Sequence, residues 1–520
     1  MTAVALPRLS RRRPARVLRI EIRRSVALWA VPLLLALFYC DSFRTAAGFP
    51  PIWTVRSSVI TDNMIADFGP LAAGLAAWVA SREGRRKTGD LIATTVRPAW
   101  ARQASALGAT LFWLLLAYLA GVAAIYIDTA MQATWGGPPL WPVAAGVVEV
   151  VTFAVIGFTA GALFPGRFTA PLAAIGTFLL AEIGFHAALQ VEPDRSTYAL
   201  LSTATSVPLS DDGVFYRVAP DLAITQVMFM AGITVALLGV LTLAPVFRLS
   251  YRGLLSGVSR AGRWLCVAGV ALLAVGAAAA ATGVALAGTA KLSVSGWDIP
   301  ALHDAASDQP VPYTPDCAGT SFQVCVQPAF SGFLASANAA LQPVASEIAG
   351  LPGAPVRAEE VPSGEGVRAA QGILLAGLPA AGLSGTPPVY RYNSDDGLAP
   401  FMGSPAGTDN AGWEAGFRQN FLTAFVAGPP RAGQGADASV AQPTAAQQAV
   451  ITALMTAVGS AAPQFGEDMS NGGPTAGATP AQIAAAAQRF ASLSPAARHA
   501  WLAAHLAALR AGTITLAQLP

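Results

Sequence analysis

Seven apolar runs follow one another between residues 25 and 289, at 25–40, 64–80, 103–127, 142–163, 168–189, 222–246 and 264–289. A helix needs about 20 residues to cross roughly 30 Å of hydrocarbon, and an open sheet cannot cross it at all. The runs therefore predict membrane-spanning helices. The first two are short, at 16 and 17 residues, and are expected to borrow flanking residues such as Ile22 and Ile60. Ahead of them, residues 7–24 set Leu18, Ile20 and Ile22 among arginines. That pattern suits either a helix lying on the membrane surface or a plain charge cluster that orients the chain.

Beyond residue 290 the pattern changes. Residues 290–320 read as a linker carrying Pro300, Pro310, Pro312 and Pro315. Residues 321–428 read as α/β. Strands are predicted at Phe322–Val326, Val356–Val361 and Gly372–Leu378, with a helix over Phe330–Ile348 interrupted at Pro343. Residues 429–520 read as a Pro/Gly/Ala linker followed by helices at Ala445–Val458, Pro480–Leu493 and Pro495–Ala511. Thr479 and Ser494 each precede a proline, the arrangement of an N-cap followed by Pro at the first helical position. The 190–221 loop is long and partly apolar, and short interfacial helices are expected around Tyr198–Leu201 and Val214–Tyr216. The predicted fold class is an all-α polytopic membrane domain (25–289, about seven transmembrane helices) followed by an extracytoplasmic α/β plus helical domain.

Charge orients this ladder. Segments 1–24, 81–102, 164–167 and 247–263 hold 19 Arg or Lys, whereas 41–63, 129–141 and 190–221 hold only Arg44, Arg56, Arg195 and Arg217. Basic residues favour the cytoplasmic side of a membrane. The split predicts a cytoplasmic N-terminus, a plasma-membrane location and an extracellular C-terminal domain. Residues are 54% hydrophobic and only 12% charged, and the mean hydropathy is +0.51, values of a membrane protein. Residues 291–520 carry 9 basic and 15 acidic side chains, so the positive charge belongs to the other part. It points to anionic membrane lipid rather than nucleic acid. No cleavable signal is expected from the N-terminal pattern. The preference for Arg over Lys, with abundant Ala, suggests a bacterial source.

Cys40 and Cys266 fall in apolar runs and read as buried small hydrophobes. Cys317 and Cys325 lie on the side expected to be oxidising, and a disulfide is predicted. The competing reading is zinc, for which only His303 is near in sequence. Ionisable groups in the runs are few: Asp67, Glu149, Glu182 and His186. Charge in lipid is costly, which makes each a candidate for a substrate path or proton relay. Glu182 and His186 share a helix face four residues apart and could pair, and their place near the outer end of a run favours a structural interhelical hydrogen bond over a functional site. Gly157 and Gly161 form one GxxxG, and Gly276 to Gly283 is a run of small residues; both suit close helix packing. Asp395, Asp396, Asp409 and Glu414 fit no EF-hand spacing and read as a solvated loop. HExxH and GxSxG are absent from the sequence. No metal, cofactor or enzymatic activity is expected. The only lysines are Lys87 and Lys291, and neither sits in the Gly-x-x-x-x-Gly-Lys-Ser/Thr loop that cradles phosphates.

The segment Glu83-Gly84-Arg85-Arg86-Lys87-Thr88-Gly89-Asp90-Leu91-Ile92-Ala93-Thr94-Thr95, ending in Arg97, lies in the longest inner loop between runs. A polar entry is followed by an apolar patch and a break at Pro98. This stretch resembles the coupling segment of type 2 ABC transporter permeases, which sits between the second and third spans and contacts the ATPase subunit. Arg97-Pro98 departs from that family's usual ending, in which Pro precedes a small residue and Arg. The basic N-terminal stretch and the long loop before the sixth run are also similar, so the likeness covers about residues 10–246. The seventh run and the outer domain are additions to it. The resemblance implies an exporter permease subunit served by a separate ATP-binding subunit and paired as a homodimer or heterodimer. Glu83, Gly84, Arg86, Leu91, Ile92 and Arg97 would be its coupling residues. Two other readings stay open. The loop can be a basic segment that only sets topology, and the chain a membrane-anchored surface protein that presents its outer domain for binding or sensing.

Overall fold

A basic helix, α1 (Arg12–Arg24), is the first element among the described residues and is broken from the next by Ser25 and Val26. The computed structural model describes residues 12–63, 68–86, 99–190, 193–202, 214–217, 219–251, 260–293, 296–361, 382–393, 410–428, 443–461, 463 and 478–520. Helix α2 (Ala27–Phe38) continues through a π-helical turn, Tyr39–Phe43, into α3 (Arg44–Gly48). Then come α4 (Trp53–Asn63), α5 (Gly69–Ala80) and α6 (Arg82–Arg85). The long helices are α7 (Ala99–Gln132), α8 (Leu140–Leu163), α9 (Thr169–Gln190), α10 (Asp221–Tyr251) and α11 (Arg260–Ala287).

Among the described residues, six stretches are helical, long and apolar enough to cross a membrane: Ala27–Gly48, Trp100–Gln132, Leu140–Leu163, Thr169–Ala187, Asp221–Ala244 and Arg263–Ala287. Six of the seven expected runs coincide with them. The remaining run, 64–80, is represented by α5, which has 12 residues; residues 64–67 and with them Asp67 lie outside the described residues. The first span does not borrow Ile22, which belongs to the separate helix α1. It lengthens instead through Asp41 and Arg44 to Gly48. Helix α1 lies along α7, where the indole of Trp113 donates to the Ile22 carbonyl at 2.8 Å.

Small residues set the helix packing. Ala72, Ala73, Ala76 and Ala77 of α5 are fully buried. Opposite them on α8, a Cβ at Gly157 would stand 1.9 Å from the Ala73 carbonyl oxygen, and one at Gly161 would stand 2.3 Å from that of Ala77. The GxxxG pair is thus the surface that admits the α5 backbone. The same device joins α10 to α11. A Cβ at Gly232 would lie 2.5 Å from the Ala280 nitrogen, and one at Gly276 would lie 2.3 Å from that of Ala236. Thr152 of α8 donates to Met230 O of α10 at 3.1 Å and lies 3.0 Å from the Thr234 hydroxyl.

A hairpin of β1 (Lys291–Ser293) and β2 (Gly296–Asp298) follows α11 directly. The main sheet runs β3 (Asp316–Ala318), β4 (Gln323–Val326), β5 (Arg357–Val361), β7 (Val389–Asn393), β6 (Gly382–Ser384) in spatial order. Its β4–β5 and β5–β7 pairs are parallel, and both edge pairs are antiparallel. The hairpin and β3 fall within the segment expected to be a linker, so the sheet begins before residue 321. The strand expected at Gly372–Leu378 lies outside the described residues. Helix α12 (Leu334–Ile348) runs on through Pro343 rather than breaking there.

Helices α13 (Asn410–Ala427), α14 (Ala445–Ala457), α15 (Pro480–Ser492) and α16 (Pro495–Arg510) follow. Thr479 and Ser494 cap the last two as expected, accepting from Gln482 N at 3.3 Å and Ala497 N at 3.3 Å. Alternation sends Val324, Val326, Ala358, Tyr390 and Tyr392 to one face of the sheet, where these helices bury them in a single core. That core also takes in Ile52 and Val214, Phe215 and Tyr216 from the loops between the long helices. Thr134 donates to Pro328 O at 2.6 Å, and Gln327 to Val214 O at 3.1 Å. The domain is therefore seated on the loop ends of the helices at Ile52, Thr134 and Val214, away from α6 and the Phe164–Arg167 turn.

Tyr392 gives this core a pH dependence. It is buried and donates to Cys325 O at 2.9 Å. Burial first, and the nearby Glu360 second, push its phenol well above the ordinary value of 10. A raised phenol pKa favours the neutral form in the folded state, so the contribution is complete below about pH 10 and is lost as pH rises beyond it. Urea unfolding of the full chain in detergent should lose stability above about pH 10. Tyr392→Phe should flatten that slope by about 1.4 kcal/mol per pH unit. Equal slopes would remove Tyr392 as the cause.

Candidate functional site

The basic end of the bundle forms where α5 runs out. Ser81 is buried and donates to Trp78 O at 3.2 Å, and α6 starts at once. The Arg85 guanidinium stacks 3.5 Å from the centre of the Trp78 ring and donates to Trp78 O at 2.9 Å. Arg102, near the start of α7, approaches Glu83 at 3.6 Å. A Cβ on Gly84 would stand 2.3 Å from Pro165 Cβ, so the turn between α8 and α9 rests directly on α6. Two loops far apart in sequence are thereby joined into one surface. Of the six residues expected to couple, Glu83, Gly84 and Arg86 belong to it. Leu91, Ile92 and Arg97 lie outside the described residues.

The polar residues of the spans separate into different settings. Glu149 is fully buried on α8. One turn earlier, Gly146 leaves room for the Tyr118 hydroxyl of α7, which stands 2.2 Å from where a Cβ would be. Glu149 lies one turn before Thr152, which makes the contact with Thr234. Glu182 and His186 pair with each other along α9 at 3.2 Å, with the His186 side chain 60% exposed. The contact lies within one helix, at the i, i+4 spacing that the sequence shows.

Cys317 and Cys325 are joined as a disulfide and face each other across β3 and β4, with Cα atoms 4.1 Å apart. His303 instead meets Asp221, Nδ1 to Oδ2, at 3.1 Å. The same carboxylate accepts from Ile299 N at 3.2 Å, at the first turn of α10, where negative charge suits the helix dipole.

Sequence reasoning missed one cluster. Arg56, counted as a loop charge, is 3% exposed. It donates to Asp128 at 2.8 Å, to Gln132 Oε1 at 3.2 Å and to Phe49 O at 3.1 Å. Its spacing from Ile52, Val59 and Ile60, which puts it on the same helix face as these apolar residues, was the available signal. An arginine there needs a carboxylate and carbonyls to satisfy it. Comparison of the chain with protein-family models, curated proteins and solved structures finds no match to any of them.

Proposed function

We propose that the chain is the integral membrane permease subunit of a bacterial ABC exporter. In this reading a separate ATP-binding subunit supplies the energy, and two permease subunits pair as a homodimer or heterodimer. The N-terminus and the basic end face the cytoplasm, and the C-terminal domain lies outside the cell. The chain itself carries no phosphate-cradling loop. The observation that carries the reading is the joined surface at the basic end. Glu83-Gly84 sits at the tip of α5, tied to α7 through Arg102 and resting on Pro165. An ATPase pressing there would push on α5, α7, α8 and α9 together. That is the mechanical requirement for coupling hydrolysis to movement of the spans.

The apolar patch Leu91-Ile92 supplies the anchor and the arginines its rim. Interface energy concentrates in buried, desolvated anchors. Leu91→Asp should therefore lower co-purification with the partner ATPase at least about tenfold and abolish stimulation of its hydrolysis, while the protein still inserts and folds. Arg86→Ala should act more mildly. Unchanged association and stimulation in Leu91→Asp would leave the loop as a topology signal alone.

A further inference from the structure

A cavity of about 220 Å³ opens at the basic end, lined by Glu21, Ser25 and Val26 beside the α1–α2 break, by Trp78, Val79, Arg82, Arg85 and Arg86 around α5 and α6, and by Ala106 and Ala109 of α7. Its two walls differ in character. One carries three guanidinium groups and one carboxylate, a net +2. The other is apolar and runs along the helices. Neither Arg82 nor Arg86 has a carboxylate partner among the described residues. The Arg85 Nε is buried with no hydrogen-bond partner, although the same side chain donates through Nη2. Unpaired guanidinium groups converging on a cavity are the usual receptor for a phosphoryl group, which they bind through charge-assisted hydrogen bonds.

Two observations name the source. Trp78, half exposed at 45%, sits at the end of an apolar helix, and indoles in such places mark the headgroup level of a bilayer. The volume falls below the roughly 300–1,000 Å³ of pockets that enclose whole ligands. It suits a headgroup whose remainder lies outside, past the exposed Val26 at the cavity's edge.

We propose that this cavity is a binding site for the phosphodiester of an anionic glycerophospholipid, with Arg82, Arg85 and Arg86 as its receptor and the acyl chains lying along α2 and α5. The occupied cavity clamps α1 to the α5–α7 corner, so lipid charge would set how firmly the surface helix is held. The site stands independently of the permease reading, because the readout below is lipid retention and not hydrolysis.

The test is native mass spectrometry of the full chain purified in a neutral detergent. Probes are phosphatidylglycerol, phosphatidylcholine, diacylglycerol with the same acyl chains, and inorganic phosphate. Wild-type protein should retain phosphatidylglycerol in preference to phosphatidylcholine and retain no diacylglycerol. Arg82→Gln/Arg86→Gln should weaken retention about tenfold or more. Arg167→Gln, an exposed arginine at the same end, should not change it. An unchanged elution profile will show that the variants remain folded. Equal retention in the double variant, equal loss in Arg167→Gln, or equal binding of diacylglycerol would overturn the site. Displacement of the lipid by micromolar inorganic phosphate would overturn the lipid source and reassign the cavity to a soluble phosphate.

Discussion

Gly157→Leu should strongly destabilise the helix bundle. At this position a Cβ alone would stand 1.9 Å from the Ala73 carbonyl oxygen, and the obstruction is backbone, which cannot swing aside. Overpacking a well-filled core costs about 1–3 kcal/mol where side chains can adjust. Here α5 itself must move away from α8, and its row of fully buried alanines goes with it. We expect at least about 3 kcal/mol of destabilisation, seen as a fall of about 5 °C or more in the melting midpoint, or loss of the folded peak in size-exclusion chromatography. Gly176→Leu, on α9 where a Cβ meets nothing within 4 Å, is the matched control and should behave as wild type. Wild-type stability in Gly157→Leu would show that the α5–α8 contact is not as close as described.

The second large effect is expected at Arg56. Replacing it with Met leaves the Asp128 carboxylate and the Phe49 carbonyl without the guanidinium that satisfies them. Breaking one side of a buried ion pair costs about 3–5 kcal/mol, mostly as the penalty on the stranded charge. Asp128 is a quarter exposed, which permits some hydration, so the lower end of that range applies. Adding Asp128→Asn should recover much of the loss, because no charge is then stranded. Thermal unfolding of the two single variants and the double variant measures the coupling between the sites. Additive losses would mean that the pair contributes only by packing.

What the sequence discloses depends on how local the cause is. The long helices follow from apolar runs, and Thr479 and Ser494 follow from a cap that needs only its own next three residues. Gly157 and Gly161 are visible as a spacing, but their partner α5 is some eighty residues away and no local rule names it. Arg56 is misleading for the same reason. Its carboxylate lies 72 residues on, so it counts as a loop charge until the fold brings Asp128 to it. Strand β3 is three residues among prolines, too short for period-two alternation to register, and only pairing with β4 reveals it. The pairing of Glu182 with His186 is legible at four residues' separation; its exposure on α9 is not. At the candidate site, the sequence identifies Glu83-Gly84-Arg85-Arg86 as unusual. The contact of Gly84 with Pro165 and the stacking of Arg85 on Trp78 emerge only from the packed helices.

The central claim is that this chain works as the membrane half of an ATP-driven exporter. The most direct measurement is purification of the intact protein from its native membrane in mild detergent, with identification and quantification of every chain that remains bound. The account predicts a stoichiometric nucleotide-binding subunit whose ATP hydrolysis rises when this protein is present and falls when Leu91 is replaced by Asp. Purification with no ATPase, from membranes in which the protein is intact and folded, would contradict it.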